Sequence, residues 1–184
     1  MSFGQGRDTQ RSKVYAAENE WRGIIGDRAM ADRIAAWAYI EKVERDSWFK
    51  RTYGPWKFRI KDGRGTRIAR GGYGTLNLPR WSRSPGVMLH EIAHNVTGPG
   101  CRGGGHGWEF CRAMLALVRH FLGKEAHERL RACFRSHRVK YKQPRVLTPE
   151  RRAALAERLA ACRPQAPTQR NLHLDIALAR ANEA

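Results

Sequence analysis

Two histidines four residues apart, set into a helical pattern, constrain this chain more than any other feature. His90-Glu91-Ile92-Ala93-His94 reads HExxH. On a helix, residues i and i+4 stand one above the other, so both imidazoles can reach one point in space. Glu91 lies about 100° around the helix from His90, near the same face but outside the ligand pair. Met88, Leu89, Ile92, Ala93 and Val96 fall on the other side. One face is therefore predicted to pack into a core and the other to carry chemistry. Ser84 and Pro85 mark the start of the helix, as an N-cap and a first-turn proline do. Thr97-Gly98 mark its end.

Two imidazoles do not complete a catalytic zinc site, which keeps three protein ligands and one open position. Gly98–Gly105 holds five Gly and one Pro in eight residues, a loop able to reverse the chain. His106 follows it, at the start of a second amphipathic helix with Phe110, Met114, Leu117, Val118 and Phe121 on one face. The longer metzincin pattern would need Gly at 97 and His at 100, and Thr97 and Gly100 stand there instead. His106 is the expected third ligand, and Glu109, one turn further on, is the alternative. The expected cofactor is Zn2+, with Glu91 as general base on the attacking water. Tyr73 is a candidate oxyanion stabiliser, or a packed aromatic. Cys101, as a fourth ligand, would close the site and turn it into a structural zinc in a non-catalytic nucleic-acid-binding module. His120, His127, His137 and His173 read as surface or packing residues.

Elsewhere the pattern is α+β. Residues 1–10 are polar. Met30, Ile34, Trp37, Ile40 and Val43 predict a helix from about Asp27 to Trp48. Gly54-Pro55 breaks the chain. Trp56, Phe58 and Ile60 alternate with Lys57, Arg59 and Lys61, which predicts a strand returning over Thr66–Arg70 after a turn at Asp62-Gly63. Tyr73–Leu78 reads as a further strand ended by Pro79. Helices are expected over 124–137 and over 148–162, the latter capped by Thr148. A main domain over 1–145 and a C-terminal helical extension over 146–184 follow.

Charge adds a second constraint. Lys and Arg number 35 against 17 Asp and Glu, a net charge of +18 in 184 residues. Such an excess points to a polyanionic partner, DNA or RNA, met without sequence specificity. Arg129, Arg131, Arg135, Arg138, Lys140, Lys142 and Arg145 lie in seventeen residues that contain no acid, with Phe134 and Tyr141 among them as stacking candidates. Arg51, Lys57, Arg59, Lys61, Arg64, Arg67 and Arg70 form a second basic run, with only Asp62 opposing it. No segment reads as a signal peptide or a membrane span, so a cytoplasmic location is expected. Four Cys without a CxxC pair read as free thiols.

HEIAHN, a loop, and then HGWEFCRAM resemble the SprT-like metallopeptidases, which include the Spartan proteases, and the related WLM-type zincins. His90, Glu91, His94 and His106 match their pattern residue by residue. RDTQRSKVYAAE and LPRWSRSPGVMLHEIAH further resemble a smaller group of metallohydrolases from actinobacteria and their phages. The stronger likeness covers roughly residues 73–122. It implies a zincin-like core of the minimal gluzincin type, with a small, mostly antiparallel sheet. It also implies zinc-dependent cleavage of peptide bonds, in Spartan-like members within proteins crosslinked to DNA. In such zincins the strand before the active helix pairs with an extended substrate, the place that Tyr73–Leu78 takes here. The short loop between His94 and His106 and the lack of a C-terminal zinc ribbon depart from the pattern.

Overall fold

The computed structural model describes residues 8–30, 32–98, 105–143 and 148–161. The chain divides into two compact units, Met1–Gln143 and Pro144–Ala184. The first contains helices α1 (Arg11–Ile25), α2 (Arg33–Arg45) and α3 (Ser47–Tyr53), then strands β1 (Arg59–Lys61), β2 (Arg70–Gly72) and β3 (Thr75–Asn77). A 3-10 turn at Arg80–Ser82 leads into α4 (Pro85–Thr97), α5 (Trp108–Phe121) and α6 (Gly123–Ser136). The architecture is α+β. In the second unit, α7 (Pro149–Ala161) starts where Thr148 Oγ1 accepts from the Arg151 N–H at 3.4 Å.

Helix α4 runs through the core. Met88, Leu89, Ile92 and Ala93 are fully buried, as the apolar side predicts, while Val96 is half-buried. It packs against α5 and β2, and α6 packs on α5 and α1. Trp21 of α1 is fully buried, and its indole N–H donates to the Ala126 carbonyl at 2.9 Å. Ser84 caps α4 by accepting from the Val87 N–H at 3.4 Å. Asp27 reinforces that end by accepting from Ser84 Oγ at 2.6 Å and from the Gly86 N–H at 3.1 Å. A carboxylate suits the positive end of a helix dipole.

The single helix expected over 27–48 is a different construction. Asp27 lies outside any helix, bound to α4. The helix starts at Arg33 behind Asp32, whose carboxylate accepts from the Ile34 N–H at 2.9 Å. It breaks at Asp46, which leaves the helical conformation and caps α3 by accepting from the Phe49 N–H at 2.8 Å. Aspartate satisfies orphan N–H groups at a helix start and so favours a boundary over an interior place. The buried stripe of α2 is Ala36, Ile40 and Val43, and Ile34 is 73% exposed.

The sheet also departs from expectation. It is mixed, in the order β1-β3-β2, with β1 parallel and β2 antiparallel to β3. Thr66–Arg70 forms no return strand against β1. The hairpin joins β2 to β3 instead, around Tyr73 (φ 51°) and Gly74 (φ 74°). Two successive positive φ values are what a two-residue turn between antiparallel strands requires. Tyr73 therefore belongs to the turn, not to a strand spanning 73–78. Asn95 of α4 holds this hairpin. Its Oδ1 accepts from the Gly74 N–H at 2.7 Å, and its Nδ2 donates to the Thr75 and Glu91 carbonyls at 3.3 and 2.9 Å.

Among the described residues, no helix is long and apolar enough to cross a membrane.

Candidate metal centre

Three imidazoles, two from α4 and one from the turn before α5, meet beside α1. His90 and His94 project from one turn of α4, and His106 arrives from the turn before α5. Their ligand nitrogens all lie within 4.8 Å of one another. His90 Nε2 and His94 Nε2 face each other at 3.1 Å. Nε2 of His106 is buried and, among the described residues, has no hydrogen-bond partner. Ring nitrogens crowded this closely, one of them orphaned, suit a shared cation better than one another. The residues fit a bound metal ion by their donor chemistry and by that unsatisfied atom.

The outer ring nitrogens are held by carboxylates. His90 Nδ1 lies 2.7 Å from Glu18 Oε2, and His106 Nδ1 lies 2.7 Å from Asp8 Oδ2. Histidines that bind metals are commonly oriented in this way, with the carboxylate fixing the tautomer and turning the other nitrogen inward. Both acids come from α1 or the residues just before it, which sequence reasoning left without a role. For Glu18 the signal was periodicity. Tyr15, Glu18 and Arg22 recur at steps of three and four on one face of α1, while Val14, Ala17 and Trp21 face the core.

Other side chains fix the backbone of the third imidazole. Gln10 Nε2 donates to the His106 carbonyl at 2.7 Å and to the Lys140 carbonyl at 3.0 Å, and Gln10 Oε1 accepts from the Lys140 N–H at 2.9 Å. The Phe110 ring sits against all three imidazoles, with centroid distances of 4.9, 4.4 and 4.9 Å to His90, His94 and His106. It forms an apolar wall that limits hydration of the cluster. The tyrosine ring at the cluster is Tyr15, stacked on His90 at 5.6 Å and edge-on to His106 at 4.9 Å. Tyr73 is 87% exposed in its turn.

The electrostatics favour unprotonated ligands at two positions. Burial, reinforced by the neighbouring His90 and His106, pushes the His94 imidazole down to about 2. Burial also lowers His106, against the opposing pull of Asp8. At His90 burial acts downward too, but the Glu18 carboxylate outweighs it and the net direction is upward. The buried Glu91 carboxyl is raised. Burial is the main cause and Glu18 adds to it, while His90 and the Gly71 N–H oppose. A raised carboxyl beside a ligand pair suits proton transfer near neutral pH.

Glu91 is placed by a close approach. A Cβ on Gly71 would stand 2.7 and 2.8 Å from the carbonyl carbon and Cα of Glu91, so only glycine lets β2 lie this near α4. Beside Glu91 and His90 opens a cleft of about 340 Å³, lined by α1, by Arg67–Ala69 ahead of β2, and by Trp81. Within the sheet, β3 is paired on both edges. It therefore has no edge for a substrate strand, contrary to the role expected of Tyr73–Leu78. Among the described residues, the strand with a free edge beside α4 is β2.

Of the other expected site residues, Glu109 lies in the first turn of α5 with Oε2 buried and, among the described residues, unpartnered, and it is not among the converging ligand atoms found there. Cys101 and Arg145 lie outside the described residues, as do Cys162 and His173. Arg129, Arg131, Arg135, Arg138, Lys140 and Lys142 are all exposed. Arg129 is paired with Glu125 at 2.8 Å. Phe134 is fully buried in the core and cannot stack on a base, and Tyr141 packs near it at 6.1 Å. The i+3/i+4 pattern of α6 turns Phe134 inward with Leu130, which placed among arginines it did not suggest. A groove of about 480 Å³ between α5, α6 and the segment that follows α6 gathers Arg112, Arg119, Arg131 and Lys142 around His127 and Tyr141.

No family model, no curated protein and no solved structure matches this chain.

Proposed function

We propose that this chain is a zinc-dependent peptidase of the HExxH kind, with a zincin-like core related to the SprT-like enzymes. The observation that carries the proposal is the convergence of His90, His94 and His106, with the buried Glu91 carboxyl next to them but outside the ligand set. Zinc held there would supply Lewis acidity, polarising a carbonyl and making a nearby water more acidic. The protein supplies the rest. Glu18 and Asp8 orient the His90 and His106 rings. Glu91 accepts the proton of the attacking water and returns it to the leaving nitrogen. Tyr15 lines the cleft with its ring against His90, and its hydroxyl takes the oxyanion-stabilising part first expected of Tyr73. Phe110 keeps bulk water from the imidazoles.

Hydrolysis of an unfolded protein, with and without a chelator, tests this reading. Glu91→Gln should retain metal and lose hydrolysis by two or more orders of magnitude, the scale of a general base. Tyr15→Phe should lower kcat more than it raises KM. Full activity in Glu91→Gln rejects the mechanism.

The net charge and the Arg112–Arg119–Arg131–Lys142 groove support substrates that sit near nucleic acid. Binding of a DNA oligonucleotide should weaken steeply between 50 and 200 mM salt, by roughly 10³-fold if about six phosphates are contacted. A flat salt dependence removes the nucleic acid from the proposal.

A further inference from the structure

The cleft beside Glu91 carries an unbalanced charge. Arg11 and Arg22 reach it from α1, and Arg67 reaches it from the segment before β2. Among the described residues, the only acids lining it are Glu18 and Glu91. Both are buried, Glu18 against the His90 ring and Glu91 against Gly71. Among the described residues, none of the three arginines forms an ion pair. The Arg11 guanidinium lies over the Tyr15 ring at 5.4 Å. Arg22 donates to Asn19 Oδ1 and to the Glu18 carbonyl, both neutral acceptors. Arg67 is exposed. The walls between them are apolar, with Ile68 51% exposed and Trp81 53% exposed.

Apolar walls under a guanidinium rim define a ligand with a short hydrocarbon stem and a carboxylate at its end. Guanidinium groups bind carboxylates through paired N–H donors. A cleft of about 340 Å³ fits a side chain or a chain end, at the small end of the range of ligand pockets. A duplex phosphate backbone has no hydrophobic stem to place against Trp81 and Ile68. We propose that this cleft is the specificity subsite of the peptidase, and that it selects a peptide carboxylate next to the bond being cut. That carboxylate belongs either to an Asp or Glu side chain or to the substrate's own C-terminus. The proposal rests on the peptidase reading, and it names the substrate chemistry of that same site.

Binding to the zinc-loaded Glu91→Gln protein, followed by calorimetry, tests it without turnover. One probe is an end-blocked peptide with a single internal Glu, and its control has Gln in that place. A third probe is the Gln peptide with a free C-terminus. The Glu peptide or the free-terminus peptide should bind at least tenfold more tightly than the blocked Gln peptide, about the worth of one charge-assisted hydrogen bond. Arg67→Gln, a change at an exposed side chain, should erase most of that difference, and Arg22→Gln should do so independently. Which probe gains affinity identifies the source of the carboxylate. Equal binding of all three peptides overturns the proposal. So does a preference that survives both arginine changes, or Arg67-dependent binding of an oligonucleotide alone. A protein that hydrolyses peptides without charge preference keeps the peptidase reading and loses this one. A protein that binds the acidic peptide yet hydrolyses nothing loses the peptidase reading and keeps the cleft only as a carboxylate-binding site.

Discussion

Removing the Glu18 carboxylate should weaken metal binding while leaving the fold in place. Glu18 Oε2 lies 2.7 Å from His90 Nδ1, and both side chains are only 6% exposed. The contact is a short hydrogen bond to an ionised group in a dry environment, the strong kind. Loss of such a supporting carboxylate typically costs 10- to 100-fold in metal affinity, or about 1.4 to 2.7 kcal/mol. Glu18→Gln keeps an oxygen acceptor for Nδ1–H and loses the charge, so the lower figure applies. Glu18→Ala leaves the buried Nδ1–H unpaired and should approach the upper one. Competition for zinc against a chromophoric chelator measures the affinity, and circular dichroism checks the fold. Glu44 provides a control. It is equally buried, but it bonds Lys57 and the Phe58 N–H, so Glu44→Gln should alter stability and not zinc affinity. A folded Glu18→Ala protein with unchanged zinc affinity would refute the reasoning.

Two further changes test how the site is positioned. Gly71→Ala drives a methyl group into the backbone of Glu91, so β2 and α4 must separate. It should cost about 1–3 kcal/mol, as overpacking does, and reduce hydrolysis, while metal affinity changes little. Denaturant melts and zinc titration read the two effects separately. Asp46→Ala removes the cap on Phe49 and the 3.1 Å contact with His120, at about 1 kcal/mol near neutral pH. Burial pushes the Asp46 carboxyl up, but the Phe49 N–H and His120 outweigh it and hold it below its usual value. A depressed carboxyl stabilises the fold above its unfolded pKa, near 3.9, and the contribution is lost as pH falls through the folded value. The gap between parent and variant should therefore be full at pH 7 and shrink below about pH 4, as melts at both pH values would show.

What the sequence disclosed was local. His90, Glu91 and His94 share one helical turn, and His106 is separated from them by a glycine-rich bend, so short spacings carry that part of the site. The partners of those imidazoles are not local. Asp8 meets His106 across 98 positions, and Glu18 meets His90 across 72. Helix α1 buries a narrow stripe of Val14, Ala17 and Trp21 with Glu18 among them, an apolar pattern too sparse to stand out between charged residues. The sheet order departs from the expected hairpin because alternation reports which side chains are buried and not which strand is the neighbour. Phe58 is indeed buried between exposed Lys57 and Arg59, yet the strand pairs in parallel with β3. Asp32 and Asp46 divide a run of apolar residues that looked continuous, because capping outweighed periodicity.

X-ray absorption at the zinc edge of the purified, metal-loaded protein tests the central claim most directly. The account predicts one zinc per chain, three imidazole nitrogens at about 2.0–2.1 Å and one light-atom position left to solvent. Loss of one imidazole from the shell is expected in each of His90→Ala, His94→Ala and His106→Ala. A sulfur at about 2.3 Å would contradict it by making the site a closed, structural one through a cysteine such as Cys101, and a protein that takes up no zinc would contradict it outright.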